Sequence, residues 1–393
     1  MMPKLKITII FSIIIFGFLF FTKISSAAPN ISSVSGTWSH NSQITISGSG
    51  FGIKNPAAPK VWDSGNHNDS LNARYSEALP FSSVSQYNIA YRTTPFSSPS
   101  GSTINAPHSY ATKIIAGAHY PASDGSYGWE KGNNVSLTVG NWGNSTSFFM
   151  MYFYHIDPNF PDTDYGPNLK EFCANESLTS SYTGDYHYID YCNGSVPMTN
   201  YPNGGWLKDT SVYASCSDTI RTEPLVPNPM RTDVGADADG WEKWDWQVKF
   251  GSSGFDKLYV DNLLTLNTPT GYVNGFSVGS ATIGGFSRVP TRDPSKSWRY
   301  FSDIYMDNTF SRVILANNSN YELATKKEPQ IPSVWSDSAI TAQVNLGKIL
   351  SFGTAYLFVF DANNEHNIVG YPVTLGSGGD TTPPAPPSGV TVN

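Results

Sequence analysis

An all-β fold is predicted by three features of the sequence. Gly (34 residues) and Pro (27) punctuate it at short intervals, with Ser, Thr and Asn filling the spaces between apolar residues. Charged residues make up only 14%, matched by aromatic residues at 14%, so the Ala, Leu, Glu and Lys that build long amphipathic helices are scarce. Apolar residues recur with period two, as in Ile44-Thr45-Ile46, which is the pattern of a half-buried strand. At 393 residues the chain has room for two or three such domains.

Residues 1–27 read as an export signal: Lys4 and Lys6, then a mostly apolar run over 7–21, then Ser25-Ser26-Ala27 before a cut. The run is shorter than the roughly 20 residues of a comfortable membrane span, so no membrane attachment is expected after cleavage and the chain is expected to be secreted or held at the cell surface. Removing Lys4, Lys6 and Lys23 takes the formal charge from −7 to −10. That acidity argues against a nucleic-acid partner, which selects a basic face. Cys173, Cys192 and Cys216 fall in one stretch of an exported chain, so one disulfide is expected, with its pairing left open.

The first mature strand signal is Gln43-Ile44-Thr45-Ile46-Ser47-Gly48-Ser49-Gly50-Phe51-Gly52, with Phe51 plugging a small core. This stretch resembles the opening of an IPT/TIG immunoglobulin-like domain. The rest of that pattern reappears far downstream: Val334-Trp335-Ser336-Asp337-Ser338-Ala339-Ile340-Thr341 resembles its central strand pair, and 353–361 and 371–375 its last strands. The resemblance implies one immunoglobulin-like β-sandwich split into 28–65 and 308–376 by an insertion, with Phe51 and Trp335 in one core. Insertion of a domain at a loop tip is physically easy.

The insertion, 66–307, holds the strongest strands. SFFMMYFYHI at 147–156 is apolar on both faces and reads as a covered central strand. WEKWDWQVKF at 241–250 sets Trp244, Trp246 and Val248 against Lys243, Asp245 and Gln247. In 297–307, strict alternation puts Arg299, Phe301, Asp303, Tyr305 and Asp307 on one face. With the 257–264 hairpin, these strands resemble the second half of a concanavalin A-like jelly roll, implying a larger β-sandwich nested in the immunoglobulin-like one. The tail 377–393 is Pro-rich and reads as a semi-rigid linker.

Sugar sites combine flat aromatic surfaces with planar hydrogen-bonding groups. Tyr152, Tyr154, His155, Arg299, Asp303 and Tyr305 are the candidates for such a face. The expected partner is an extracellular polysaccharide or surface glycan, bound without catalysis. The alternatives are a polysaccharide lyase or glycosidase and a structural spacer or protein-binding adhesin. A lyase needs a base and a group that neutralises a carboxylate. Lys113, His119, Tyr120, His155 and Lys249 supply the residue types without a motif, so no catalytic residue is assigned. No metal site or cofactor is expected, although calcium could take the acidic loops at 157–166 (Asp157, Asp162, Asp164) or 233–239 (Asp233, Asp237, Asp239).

Overall fold

The computed structural model describes residues 28–75, 77–78, 89–118, 137–143, 145–157, 168–176, 186–192, 206–212, 226–227, 240–249, 254–268, 278–283, 287–288, 298–349 and 351–376. The leader, Cys216, His119, Tyr120, the acidic loops at 162–166 and 233–239, and the tail lie outside the described residues. Among the described residues no helix is long and apolar enough to cross a membrane.

The fold is all-β. Its strands begin with β1 (Asn30–Gly36), β2 (Gln43–Ser49), β3 (Val61–Asp63), β4 (Glu77–Ala78), β5 (Ala90–Thr93), β6 (Phe96–Ser97), β7 (Thr103–Ile104) and β8 (Lys113–Ala118). There follow β9 (Leu137–Val139), β10 (Ser147–Ile156), β11 (Asn168–Glu176), β12 (Tyr186–Cys192), β13 (Trp206–Val212), β14 (Val226–Pro227), β15 (Glu242–Lys249), β16 (Phe255–Val260) and β17 (Leu263–Thr268). The last are β18 (Val278–Ile283), β19 (Ser287–Arg288), β20 (Trp298–Asp307), β21 (Arg312–Ala316), β22 (Lys327–Trp335), β23 (Ala339–Gln343), β24 (Gly353–Phe360) and β25 (Tyr371–Leu375).

The two ends of the described chain share one sheet, ordered β1-β2-β23-β22-β21-β24-β25. β22 belongs to both of its halves: residues up to Gln330 pair with β21, and those from Ile331 pair with β23. Pro329 and Pro332 each lack an N–H around that switch. The sheet folds over itself there, as corner strands do. Ile44, Ile46, Ile340 and Ala342 from one half meet Val313, Leu315, Leu357, Val359 and Val373 from the other in a single core. Phe51 and Trp335 lie in that core, and Trp335 Nε1 donates to Phe51 O at 3.2 Å. A side chain at Gly48 would strike Phe51 and the Asn30 carbonyl, so β2 needs glycine there to lie against β1 and Phe51.

The remaining strands form two facing sheets, β17-β16-β15-β10-β20-β8-β5 and β14-β13-β12-β11-β18-β9-β4. β3, which precedes the boundary expected at residue 66, pairs with β20 of the first of these. Between the sheets, Phe148, Met150, Tyr152, Tyr154, Trp244, Trp246 and Val248 pack against Leu137, Val139, Ala281 and Ile283. The other face of β10 and β20 packs against the end-to-end sandwich: Phe149, Met151 and Tyr305 share a cluster with Phe310, Ile314, Phe358 and Phe360.

Cys173 sits opposite Tyr188, and Cys192 opposite Asn168. That offset of four residues along β12 is about 13 Å at strand spacing, twice the reach of a disulfide.

Phe51 is fully buried and bonded through its carbonyl to Trp335, whereas Ile53 two residues on is 82% exposed. Phe51→Ala is expected to lower stability by about 3–5 kcal/mol. Ile53→Ala should change it by less than about 0.5 kcal/mol. Urea unfolding followed by tryptophan fluorescence measures both.

Candidate functional site

The six side chains expected to form a sugar platform are all buried. Tyr152 and Tyr154 point into the core between the facing sheets, beside Trp244 and Phe301. His155 stacks on Tyr300 with ring centroids 5.5 Å apart, and its Nδ1 contacts the Gly240 carbonyl. Tyr305 receives a hydrogen bond from Lys54 Nζ at 3.4 Å, and Lys54 pairs with Asp307 at 2.5 Å. Burial, reinforced by the Asp307 charge, holds the Tyr305 phenol well above its usual range.

Strict alternation along β20 fails at one point. Two steps on β10, from Met151 to Phe153, match three on β20, from Tyr305 to Ser302. Asp303, at φ 50°, occupies this bulge. The bulge returns Phe301 to the core with Ile304 and Met306, while Tyr300 joins Phe153 on the opposite face. Asp303 is thus re-aimed to meet His108 Nε2 at 2.5 Å.

Among the described residues, an open concavity lies elsewhere, beside β8 and β5. A cleft of about 430 Å³ is lined by His67, Asn68, Asp69, Ser70, Leu71, Asn72, Ile89, Ala90, Tyr91 and Lys113. That volume falls in the ordinary range for small-ligand sites, roughly 300–1,000 Å³. Asp63, fully buried at the end of β3, anchors the lining of this cleft through Tyr91. Asp63 Oδ1 accepts from Gly65 N at 2.9 Å, and Oδ2 accepts from Tyr75 at 3.1 Å and Tyr91 at 2.7 Å. Gly65 has φ 76°, and a Cβ there would come within 2.5 Å of Lys113 O. Glycine therefore lets the 66–75 segment lie tightly along β8. Asn66 Oδ1 fixes that segment by accepting from Thr112 N at 2.6 Å.

The polar groups of the cleft are held by one another. Lys113 Nζ donates to His67 O at 2.8 Å and to Asn68 Oδ1 at 2.7 Å. Arg74 Nη2 lies 2.7 Å from His67 Nδ1. A guanidinium can only donate, so Nδ1 accepts and the neutral ring carries its proton on Nε2, 3.6 Å from Asp63 Oδ1. Burial lowers the His67 pKa, against the pull of Asp63 and with the push of Arg74. Burial raises the Tyr91 phenol, and the Asp63 carboxylate raises it further.

Of the residues singled out by sequence, this cleft contains Lys113 alone. His67 was missed because 64–75 has no strand periodicity, and Asp63 and Tyr91 because they lie on the short strands β3 and β5, which carry no distinctive pattern. The available signal was the Asp63-Ser64-Gly65 turn followed by a run of Asn, Asp and Ser carrying a His. Asp157, from the first acidic loop, is already saturated: the hydroxyls of Ser98, Ser100, Ser102 and Tyr300 all donate to it at 2.6–3.1 Å. Among the described residues no group of His, Cys, Asp and Glu has metal-ligating geometry.

No family model and no curated protein matches the chain. Solved structures do. The alginate lyase Aly36B is 11% identical, covering 71% of this chain and 98% of its own, at a TM-score of 0.34. An endo-β-1,4-glucuronan lyase from the fungus Trichoderma reesei is 10% identical, covering 64% and 97%, at 0.35. A cellulose-induced protein is 9% identical, covering 56% and 86%, at 0.32. Likenesses at this level transfer neither residues nor activity.

The His108–Asp303 pair gives a pH test. Burial alone would lower the His108 pKa, but the charge and hydrogen bond of Asp303, helped by Glu328, outweigh it and hold the pKa above 6.5. Stability from this pair is fully present below the ordinary histidine pKa and is lost as pH rises through the folded value. Thermal melts of the parent should therefore show a fall as pH rises above the ordinary histidine pKa that His108→Gln removes. Identical pH profiles for the two proteins would contradict the pairing.

Proposed function

We propose that this chain is an extracellular or cell-surface protein that binds carbohydrate without catalysis, in the cleft between His67 and Lys113. The observation that carries this reading is the composition of the cleft wall. Tyr91 and His67 offer ring surfaces for C–H packing, with ring centroids 6.1 Å apart. Asn68, Asp69, Ser70 and Lys113 supply planar and charged hydrogen-bonding groups around them. The 66–75 segment is pinned to the sheet, so a ligand would meet an organised surface.

A lyase would require a group free to take a proton next to a uronate carboxyl. The His67 lone pair is engaged by Arg74, Tyr91 donates to Asp63, and Lys113 donates to two oxygens. These contacts favour recognition over proton transfer. In the same reading, 28–65 and 308–376 are the halves of an IPT/TIG-like mount, 66–307 is the glycan-reading lobe, and 377–393 is a Pro-rich linker.

A glycan array probed with the mature chain should give a discrete set of saccharide hits. Lys113→Met should weaken binding to those hits about tenfold, the scale of one lost charged hydrogen bond. Ile53→Ser, remote from the cleft, should leave it unchanged. Equal binding by the parent and Lys113→Met would remove the cleft from the account. A rise in ultraviolet absorbance from unsaturated products on alginate or pectin would replace binding with lyase activity.

A further inference from the structure

At the seam between the two sandwiches, Lys54 and Asp307 stand where the chain leaves the end-to-end sandwich and where it comes back. Lys54 lies between β2 and β3, and Asp307 is the last residue of β20, just before β21. Lys54 Nζ meets Asp307 Oδ2 at 2.5 Å, and each side chain is 2% exposed. The Trp335 and Tyr305 rings lie 5.5 and 6.0 Å from Nζ. Among the described residues the other group bonded to Nζ is the Tyr305 hydroxyl, at 3.4 Å. That hydroxyl is also 3.5 Å from Asp307 Oδ2, so it bridges the pair. Asp307 Oδ1 accepts from Asn308 N at 2.8 Å.

Burial pushes both groups towards their uncharged forms, against the pull that each exerts on the other. It lowers the Lys54 pKa, with a further push from Arg312, and it raises the Asp307 pKa. A free amine held against a carboxylic acid, with water excluded, is the arrangement from which an amide forms. The second charged pair of the seam lacks these features. Lys243 Nζ meets Glu328 Oε2 at 2.5 Å, but it also contacts the Lys327 carbonyl, an acceptor that favours the ammonium. Among the described residues no hydroxyl bonds either of those partners.

We propose that Lys54 and Asp307 condense to an intramolecular isopeptide bond, a covalent clasp across the exit and return of the chain. One ammonium proton crosses the short contact to Oδ2, leaving an amine and an acid. The Nζ lone pair then attacks Asp307 Cγ and forms the C–N bond. The charge that develops on Oδ1 is met by the Asn308 N–H, which already points there. A second proton leaves Nζ for the Tyr305 oxygen as Tyr305 gives its own to Oδ2. The Cγ–Oδ2 bond breaks, and Oδ2 departs as water with the two protons that Nζ has lost. Nothing is oxidised or reduced, and no co-reactant is needed. The dry surroundings then protect the amide from hydrolysis.

Proteolysis of the denatured parent chain, with the peptides weighed by mass spectrometry, tests this without requiring any variant to fold. The expected result is a branched peptide that joins the Lys54 segment to the Asp307 segment and is one water lighter than their sum. Lys243 and Glu328 should be recovered unlinked in the same digest, and Lys54→Met should return both segments of the clasp as separate linear peptides. Tyr305→Phe, sampled at intervals after purification, should accumulate the branched peptide about a hundredfold more slowly, the scale of one lost proton-transfer group. Recovery of Lys54 and Asp307 only in separate peptides from the parent would overturn the proposal. Equal linkage at Lys243 and Glu328 would overturn it as well, because that pair lacks the bridging hydroxyl.

Discussion

Antiparallel pairing of β2 with β23 is the constraint on which the rest of this structure depends. It sets Ile44 opposite Ala342 and Ile46 opposite Ile340, joining segments nearly three hundred residues apart. Once those strands are joined, the chain between them must leave and return at neighbouring points. It does so through β3 and β20, which are themselves paired, Val61 opposite Met306 and Asp63 opposite Ile304. The exit and return strands thereby fix β20, and β20 fixes β10 beside it. Phe51 closes the core just after the exit from β2, and the Trp335 indole bonds its carbonyl from the other side.

A second consequence follows from the same geometry. Since β20 runs almost directly into β21, the outward face of the β10–β20 sheet is brought against the end-to-end sandwich. The charged side chains on that face are then desolvated: Lys243 is met by Glu328, Asp307 by Lys54, and Gln247 by Asn364 at 2.9 Å. Pairs of this kind add little net stability compared with apolar packing, but a wrong alignment would strand a charge without its partner. They set the relative position of the two sandwiches more than they hold them together. Among the described residues, an opening for a ligand lies at the margin of the sheet, where Asp63 turns the chain away from β3 and the 66–75 segment walls a cleft against β8.

Much of this fold was legible in the sequence. The alternation of Trp244, Trp246 and Val248 with Lys243, Asp245 and Gln247 assigns both faces of β15 correctly, because period two is a direct consequence of strand geometry. Phe51 and Trp335 could be matched across the chain because the strand and turn around each are distinctive. The bulge at Asp303 was not legible. One extra residue with positive φ leaves no mark on a hydrophobic pattern, yet it exchanged the faces of Arg299 and Phe301 relative to Asp303 and Tyr305. The seam could not be read either: partners such as Lys54 and Asp307 are separated by 253 positions and have ordinary surface composition. Each side chain expected to greet a sugar was an aromatic or charged residue on a strong strand, and strong strands lie in the middle of sheets, where both faces are covered. The cleft instead uses a segment without periodicity, whose conformation is set by side chain to backbone hydrogen bonds from Asp63 and Asn66.

Hydrogen–deuterium exchange of the intact chain, with and without a saturating oligosaccharide, tests the central claim most directly. Slowed exchange confined to 66–72, 89–92 and the start of β8, with 298–307 unaltered because its outward face is already sealed, is the predicted result. Slowing along 298–307 with none at 66–72 would mean that sugar reaches the face the seam is said to close, and the account would be contradicted.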